Sequence, residues 1–243
     1  MTEQEGLMQT LRLHGMKSRW VALLETKQAH ELSFFDGLEL LLQSEKEAKE
    51  SSRFERLTNA AKFRYSASVE ELIYNPVRGL DKSQISQLTS GEYLKNGESI
   101  LITGATGCGK SFLASALGHH ACLEGNRVLY FNTQKLLDKT KMSRIEGTII
   151  KLFERISKVD LLILDDFGLR KMEHQQQQDL MEVIEDRHAK KSTIMVSQLP
   201  VSKWYDIIGE KTIADAILDR LAHTSHRIEL KSESLRKKSN TIQ

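Results

Sequence analysis

The stretch Ser99-Ile-Leu-Ile-Thr103-Gly104-Ala105-Thr106-Gly107-Cys108-Gly109-Lys110-Ser111-Phe112 decides the fold. Its apolar start reads as a buried strand. Gly104 to Ser111 matches the G-x-x-x-x-G-K-[ST] phosphate-loop pattern, and Leu113, Ala116, Leu117 and Ala121 follow at helical spacing until Gly125. Strand, glycine loop and helix in that order give the pattern its meaning. Glycines let backbone N–H groups turn inward around phosphate oxygens, and a helix N-terminus adds unpaired donors and a favourable dipole. Lys110 supplies a point charge for β- and γ-phosphates, and the Ser111 hydroxyl can ligate Mg²⁺. Gly104, Ala105, Thr106, Gly107, Cys108, Gly109, Lys110, Ser111 and Phe112 form the candidate nucleotide-binding set, with ATP and Mg²⁺ as expected cofactors. Cys108 is either a thiol activated by the helix terminus or a small residue filling the loop.

About 55 residues further on, Leu161-Leu-Ile-Leu-Asp165-Asp166 ends an apolar strand in two carboxylates. In a parallel sheet that end lies beside the phosphate loop. Asp165 is the candidate metal ligand with Ser111, since Mg²⁺ takes one or two carboxylates and keeps several waters. Asp166 is the candidate group to orient an attacking water. Val196-Ser197-Gln198 ends another apolar run with polar groups, which suit either a γ-phosphate or an ordinary turn hydrogen bond. On the helical stretch Thr212–His223, Ile213, Ile217, Leu218 and Leu221 point inward and Arg220 falls off the stripe. Arg220 is a surface ion pair or an arginine reaching a neighbouring subunit's nucleotide. Periodicity alone favours the ion pair.

Further strand-like runs are Arg127–Phe131, Thr193–Val196 and Arg227–Leu230, with helical segments at Thr148–Ser157 and His174–Lys190. Strands alternating with helices imply an α/β domain with a five-stranded parallel sheet covered on both faces. Residues 1–65 read as a small all-helical domain, and residues 66–243 as the nucleotide-binding domain. Ser33-Phe-Phe-Asp36 resembles a capping box, and Glu45-Lys-Glu-Ala-Lys-Glu50 reads as a solvated helix face. The segment from Arg53 to Tyr65 interleaves basic and aromatic residues, which suits nucleic acid or an amphipathic helix resting on the next domain. Asn75-Pro76 to Asp81 reads as a turn.

The chain of 243 residues carries a net charge of +2, so any nucleic-acid surface has to come from local clustering. Two cysteines rule out a disulfide framework and suit a reducing compartment. Glu3 and Glu5, with no basic residue among the first ten, argue against a secretory signal. No apolar run approaches the ~18 residues of a membrane span, so a cytoplasmic protein is expected. His223 and His226 lack a metal-ligand partner set and read as surface or interface groups.

From Phe54 to Arg236 the chain resembles the IstB family of AAA+ ATPases, helpers of bacterial insertion-sequence transposition, and less closely the helicase loader DnaC. The resemblance rests on Ile102–Ala114, Ala116–Gly118, Leu162–Gly168, Ser197–Pro200 with Trp204, and Ala214–Leu221. It implies an AAA+ P-loop core, and Ser197 or Gln198 as a sensor on the strand between the two nucleotide-site strands. It also implies Arg220 as a trans-acting arginine finger and Arg236 as a second phosphate-sensing arginine. Ser232 stands where the family usually has a glycine before that last arginine. Asp166 is shorter than the glutamate of most AAA+ proteins, so slow hydrolysis is the expectation. The implied partners are double-stranded DNA, a transposase encoded by the same element, and further copies of the chain in a ring or spiral. A helicase loader is the alternative function.

Overall fold

The computed structural model describes residues 2–28, 31–222 and 225–231. The chain forms two compact units, Met1–Arg56 and Leu57–Gln243. Arg236 and His223 lie outside the described residues.

The first unit holds α1 (Glu3–Thr10), α2 (His14–Glu25) and most of α3 (Phe34–Ala61). Ser33 starts α3, its Oγ accepting from the Asp36 N–H at 3.2 Å and donating to the Asp36 carboxylate at 2.6 Å. The mixed-charge stretch Glu45–Glu50 on α3, expected to be solvated, contains a buried group. Glu45 is 6% exposed and its Oε2 accepts from the N–H groups of Gly15 (2.8 Å) and Met16 (3.1 Å) in the first turn of α2. Leu13, which precedes α2, gives no side-chain cap, so Glu45 supplies from a distance what the local sequence lacks. The two helices approach closely here. A Cβ on Gly15 would meet Ser44 O at 2.3 Å.

The second unit adds α4 (Lys82–Thr89), α5 (Glu92–Asn96), β1 (Ser99–Gly104), α6 (Lys110–Leu123), β2 (Val128–Asn132), α7 (Thr133–Ile145) and α8 (Ile149–Ser157). After these come β3 (Leu161–Phe167), α9 (His174–Arg187), β4 (Ser192–Ser197), α10 (Trp204–Ile208), α11 (Lys211–Ala222) and β5 (Ser225–Leu230). Among the described residues the strands form one five-stranded sheet, ordered β2-β3-β4-β1-β5 and parallel throughout. All strands therefore present their carboxyl ends along one edge. The central strands are buried along nearly their whole length, as expected where helices cover both faces.

The opposite edge is secured by Arg187, which is 1% exposed at the end of α9. Its guanidinium donates to the carbonyls of Ile156 (2.7 Å), Val159 (3.0 Å) and Ser192 (2.5 Å), and Nε donates to Thr193 Oγ1 at 3.2 Å. These are the orphan carbonyls where α8 ends and β4 begins. Burial pushes the Arg187 pKa down to about 10, so the group stays a cation at neutral pH.

Glu45 gives the first unit a testable pH dependence. Burial alone would raise its carboxyl, but the Met16 N–H, the Lys49 ammonium and the Gly15 N–H outweigh it and hold the pKa below the usual range. A carboxyl depressed on folding adds stability that is complete above its unfolded value of about 4.3 and lost as pH falls through the folded value. We expect Glu45→Gln to destabilise the first unit by about 1.5–3 kcal/mol at pH 7, the scale of hydrogen bonds to charged groups. In denaturant titrations the gap between variant and parent should close below about pH 4. A gap independent of pH would exclude this role.

Candidate nucleotide-binding site

The loop Ala105–Gly109 joins β1 to α6 in the strand-loop-helix order that the sequence requires. Gly104, Gly107 and Gly109 all have positive φ, at 146°, 82° and 97°. At Gly104 the reason is space as well as backbone angle: a Cβ would meet Leu230 O at 2.3 Å and Cys108 Sγ at 3.1 Å. Gly109 caps α6 without a side-chain hydrogen bond, which suits an anion at this helix terminus. Lys110 is 7% exposed and donates to the carbonyls of Gly104 (2.8 Å) and Ala105 (2.7 Å). Ser111 and Phe112 lie in the first turn of α6. Cys108 is fully buried, with its Sγ 3.9 Å from Lys110 Nζ. From behind, Arg78 Nη2 donates to the Cys108 carbonyl at 3.2 Å.

Asp165 and Asp166 sit at the carboxyl end of β3, within a register break against β4. Leu164 pairs with Met195 and Phe167 with Ser197, which leaves an extra residue on β3. A bulge re-aims side chains, and here Asp166 takes up the strain in the left-handed region at φ 57°. Asp165, 1% exposed, accepts from the Asp166 N–H through Oδ1 at 2.8 Å. Through Oδ2 it accepts from the Tyr130 hydroxyl and from Arg64 Nη1 at 3.3 Å. Asp166 Oδ2 accepts from the same Arg64 nitrogen and from Asn132 Nδ2, both at 2.9 Å. Burial, followed by the bond to Asp165, raises the Tyr130 pKa and keeps its hydroxyl a donor.

The polar pair after β4 divides into two roles. Ser197 is fully buried; its Oγ donates to Phe167 O at 2.8 Å and accepts from Leu199 N–H at 3.1 Å, closing the strand end. Gln198 instead reaches the loop, where its Oε1 accepts from Thr106 Oγ1 at 2.8 Å. Behind them Trp204, fully buried, donates from Nε1 to Leu199 O at 3.0 Å and packs against Phe167. The sheet thus gathers the loop, the two aspartates and Gln198 along one edge.

Arg220 is not part of that gathering. On α11 its Nε lies 2.5 Å from Glu185 Oε2 of α9, and Nη1 donates to Ala216 O at 3.0 Å. Sequence reasoning missed Arg64, Tyr130 and Asn132 around the carboxylates. For Asn132 a signal existed, because a polar residue ending an apolar strand-like run is the pattern used for Ser197 and Gln198. For Arg64, 101 residues before Asp165, the sequence carried none. The basic–aromatic segment that holds Arg64 rests on the nucleotide-binding core: the Phe63 ring stacks on His119 at 4.1 Å and Tyr65 faces Phe112. His226 bonds Glu98 at 2.8 Å.

The donor set fits ATP with Mg²⁺. Gly104 has no room for a Cβ, the helix terminus lacks a side-chain cap, and the carboxylate of Asp165 is buried at the end of β3. Among the described residues no group of three or more His, Cys, Asp or Glu could hold a metal without outside ligands. No helix among them is long and apolar enough to cross a membrane.

Fold and site together define a P-loop nucleotide-binding protein built on a parallel α/β sheet. Among solved structures the chain is similar to the DnaC helicase loader, with a TM-score of 0.56 and 20% identity, covering 73% of this chain and 99% of that one. The sequence matches the IstB-like ATP binding proteins over residues 6–242, and the chain belongs to that family. It is 40% identical to an insertion-sequence ATP-binding protein of Sinorhizobium fredii, covering 95% of this chain and 94% of the relative. It is 41% identical to the ATP-binding protein of insertion sequence IS1162 from Pseudomonas fluorescens, over 79% of this chain and 84% of that one.

The division of labour after β4 can be tested directly. We expect Ser197→Ala to lower stability by about 1–3 kcal/mol, because it strands the Phe167 carbonyl and the Leu199 N–H. Gln198→Ala should leave the melting temperature within error and alter only nucleotide-dependent behaviour. Thermal melts paired with titrations of a fluorescent ATP analogue separate the two, and interchanged effects would reverse the assignment.

Proposed function

We propose that this protein is an ATP-dependent DNA-binding helper of transposition. In this reading it oligomerises on target duplex DNA, hydrolyses ATP slowly, and recruits and stimulates the transposase of its own element. The observation that carries the reading is the half-built site: loop, aspartates and Gln198 converge, while Arg220 stands apart on α11. A second copy supplying Arg220 would complete it, so ATP binding free energy becomes assembly free energy. Near-complete coverage of insertion-sequence relatives supports transposition over helicase loading.

Bound ATP would supply the phosphoryl group to be cleaved, and Mg²⁺ positive charge to offset that of the phosphates. Ser111 and Asp165 would hold the metal. Lys110 would leave its two loop carbonyls for the phosphates, Asp166 would orient the attacking water, and Gln198 would report the terminal phosphate to β4. Arg236 is a further phosphate-sensing candidate. Release of the Glu185 pair would free Arg220 for the neighbouring copy. DNA contacts would go mainly to phosphates, with little sequence preference.

At ATP a hundredfold above its dissociation constant, the linkage amounts to about 2.7 kcal/mol, or about a hundredfold in assembly. Lys110→Ala should abolish that ATP-dependent gain in affinity for duplex DNA, read by fluorescence anisotropy with and without nucleotide. Arg220→Ala should keep nucleotide binding yet lower DNA-stimulated phosphate release by about 10³-fold, the scale of a lost arginine finger. Hydrolysis unaffected by Arg220→Ala would overturn the shared site. Preferred binding to single-stranded DNA and a replicative helicase, with no response to the transposase, would favour the loader reading.

A further inference from the structure

The Arg64 guanidinium is the cation that both carboxylates hold in this structure. One nitrogen, Nη1, lies 2.9 Å from Asp166 Oδ2 and 3.3 Å from Asp165 Oδ2, bridging the two carboxylates at the end of β3. Asp165 has no free face toward its own chain, because its other oxygen already receives the Asp166 N–H. The arginine is not a loosely placed surface cation. Phe63, just before it, lies across Gly118 of α6 so closely that a Cβ there would meet the Phe63 ring at 2.4 Å. Tyr65, just after it, faces Phe112 in the first turn of the phosphate-loop helix, and the guanidinium lies 5.6 Å over the Tyr65 ring. The backbone on either side is therefore pinned to the helix that begins at Lys110.

The Arg64 side chain is 42% exposed and opens onto a cavity of about 600 Å³ that Asp165 and Asp166 also line. Lys62, Lys135, Lys139 and Arg155 also line that cavity. Of these cations Arg64 is the one that pairs with both carboxylates, and the aromatic anchors hold it there.

We propose that Arg64 is a positioning residue that serves as built-in counter-cation to Asp165 and Asp166, and that Mg²⁺ must displace it from Asp165 before the site is loaded. Arg64 then sets the Mg²⁺ concentration at which nucleotide binding becomes metal-dependent. While Asp166 remains on Arg64 and Asn132, its left-handed backbone stays fixed, so the displacement frees the metal ligand without releasing the water-orienting group. This inference rests on the ATP–Mg²⁺ reading of the site.

The test is a Mg²⁺ titration of fluorescent ATP-analogue binding to the full chain, with parallel binding curves in EDTA. Arg64→Gln should lower the Mg²⁺ midpoint about tenfold while weakening binding in EDTA, where the cation bridging the two carboxylates is gone. Arg64→Lys keeps the charge but loses the planar fork, and its midpoint should fall between those of Arg64→Gln and the parent. It also serves as the folded comparison should Arg64→Gln be unstable. A midpoint at or above that of the parent in either folded variant overturns the proposal. So does an equal loss of affinity with and without Mg²⁺, which a merely structural arginine would give. If the parent protein binds no nucleotide in either condition, the ATP reading itself fails, an outcome distinct from an unchanged midpoint.

Discussion

A carboxylate as enclosed as Asp165 can exist in a folded protein only if donors surround it. Much of the site can be understood as the means of supplying them. Tyr130 comes from the adjacent strand β2, the Asp166 N–H from the bulge in β3, and Arg64 from the segment anchored on α6. Each of these elements is held by its own packing: β2 by its register with β3, the Arg64 segment by Phe63 and Tyr65 against α6. Lys110 repeats the pattern with opposite charge by turning onto two carbonyls of its own loop. Both charged components are thus satisfied internally, and a ligand has to replace existing bonds as well as make new ones. Such exchange keeps the net free energy of loading modest, a property suited to a site that has to fill and empty.

The parallel sheet explains why the convergence is possible at all. Strand order β2-β3-β4-β1-β5 places the loop after β1 next to the end of β4 and one strand away from the aspartates. Gln198 bridges that interval through Thr106. Arg220 depends on different constraints, those of the α9–α11 pair, and its Glu185 bond keeps it on that surface. Within one chain the geometry therefore separates binding groups from the arginine expected to complete them.

Much of the nucleotide site was legible in the sequence because its information is local. The phosphate loop, the strand ending in Asp165-Asp166 and the Ser33 cap each carry their cause within a few residues. All five strand-like runs became strands of the one sheet. What escaped was non-local or weakly patterned. Glu45 read as one more charge in a mixed run, yet its partners lie about 30 residues earlier in the chain. Helix α7 was not expected, since its many polar residues blur the periodicity, although Leu136, Leu137 and Thr140 form a buried face. Ser197 and Gln198 are equally polar neighbours; only the direction of each side chain assigns one to the backbone and the other to the loop. For Arg220 periodicity favoured an ion pair, and Glu185 supplies one in the isolated chain.

The space left by Gly104 has one more consequence. The atom it accommodates is the carbonyl of Leu230, the last residue of β5, and the next residue donates its N–H to Arg78 O at 2.8 Å. Arg78 in turn braces the loop at Cys108. The wall of the phosphate cradle, the end of β5 and the Arg78 brace therefore meet in the same few atoms, so a side chain forced in at Gly104 would strain the loop from two directions at once.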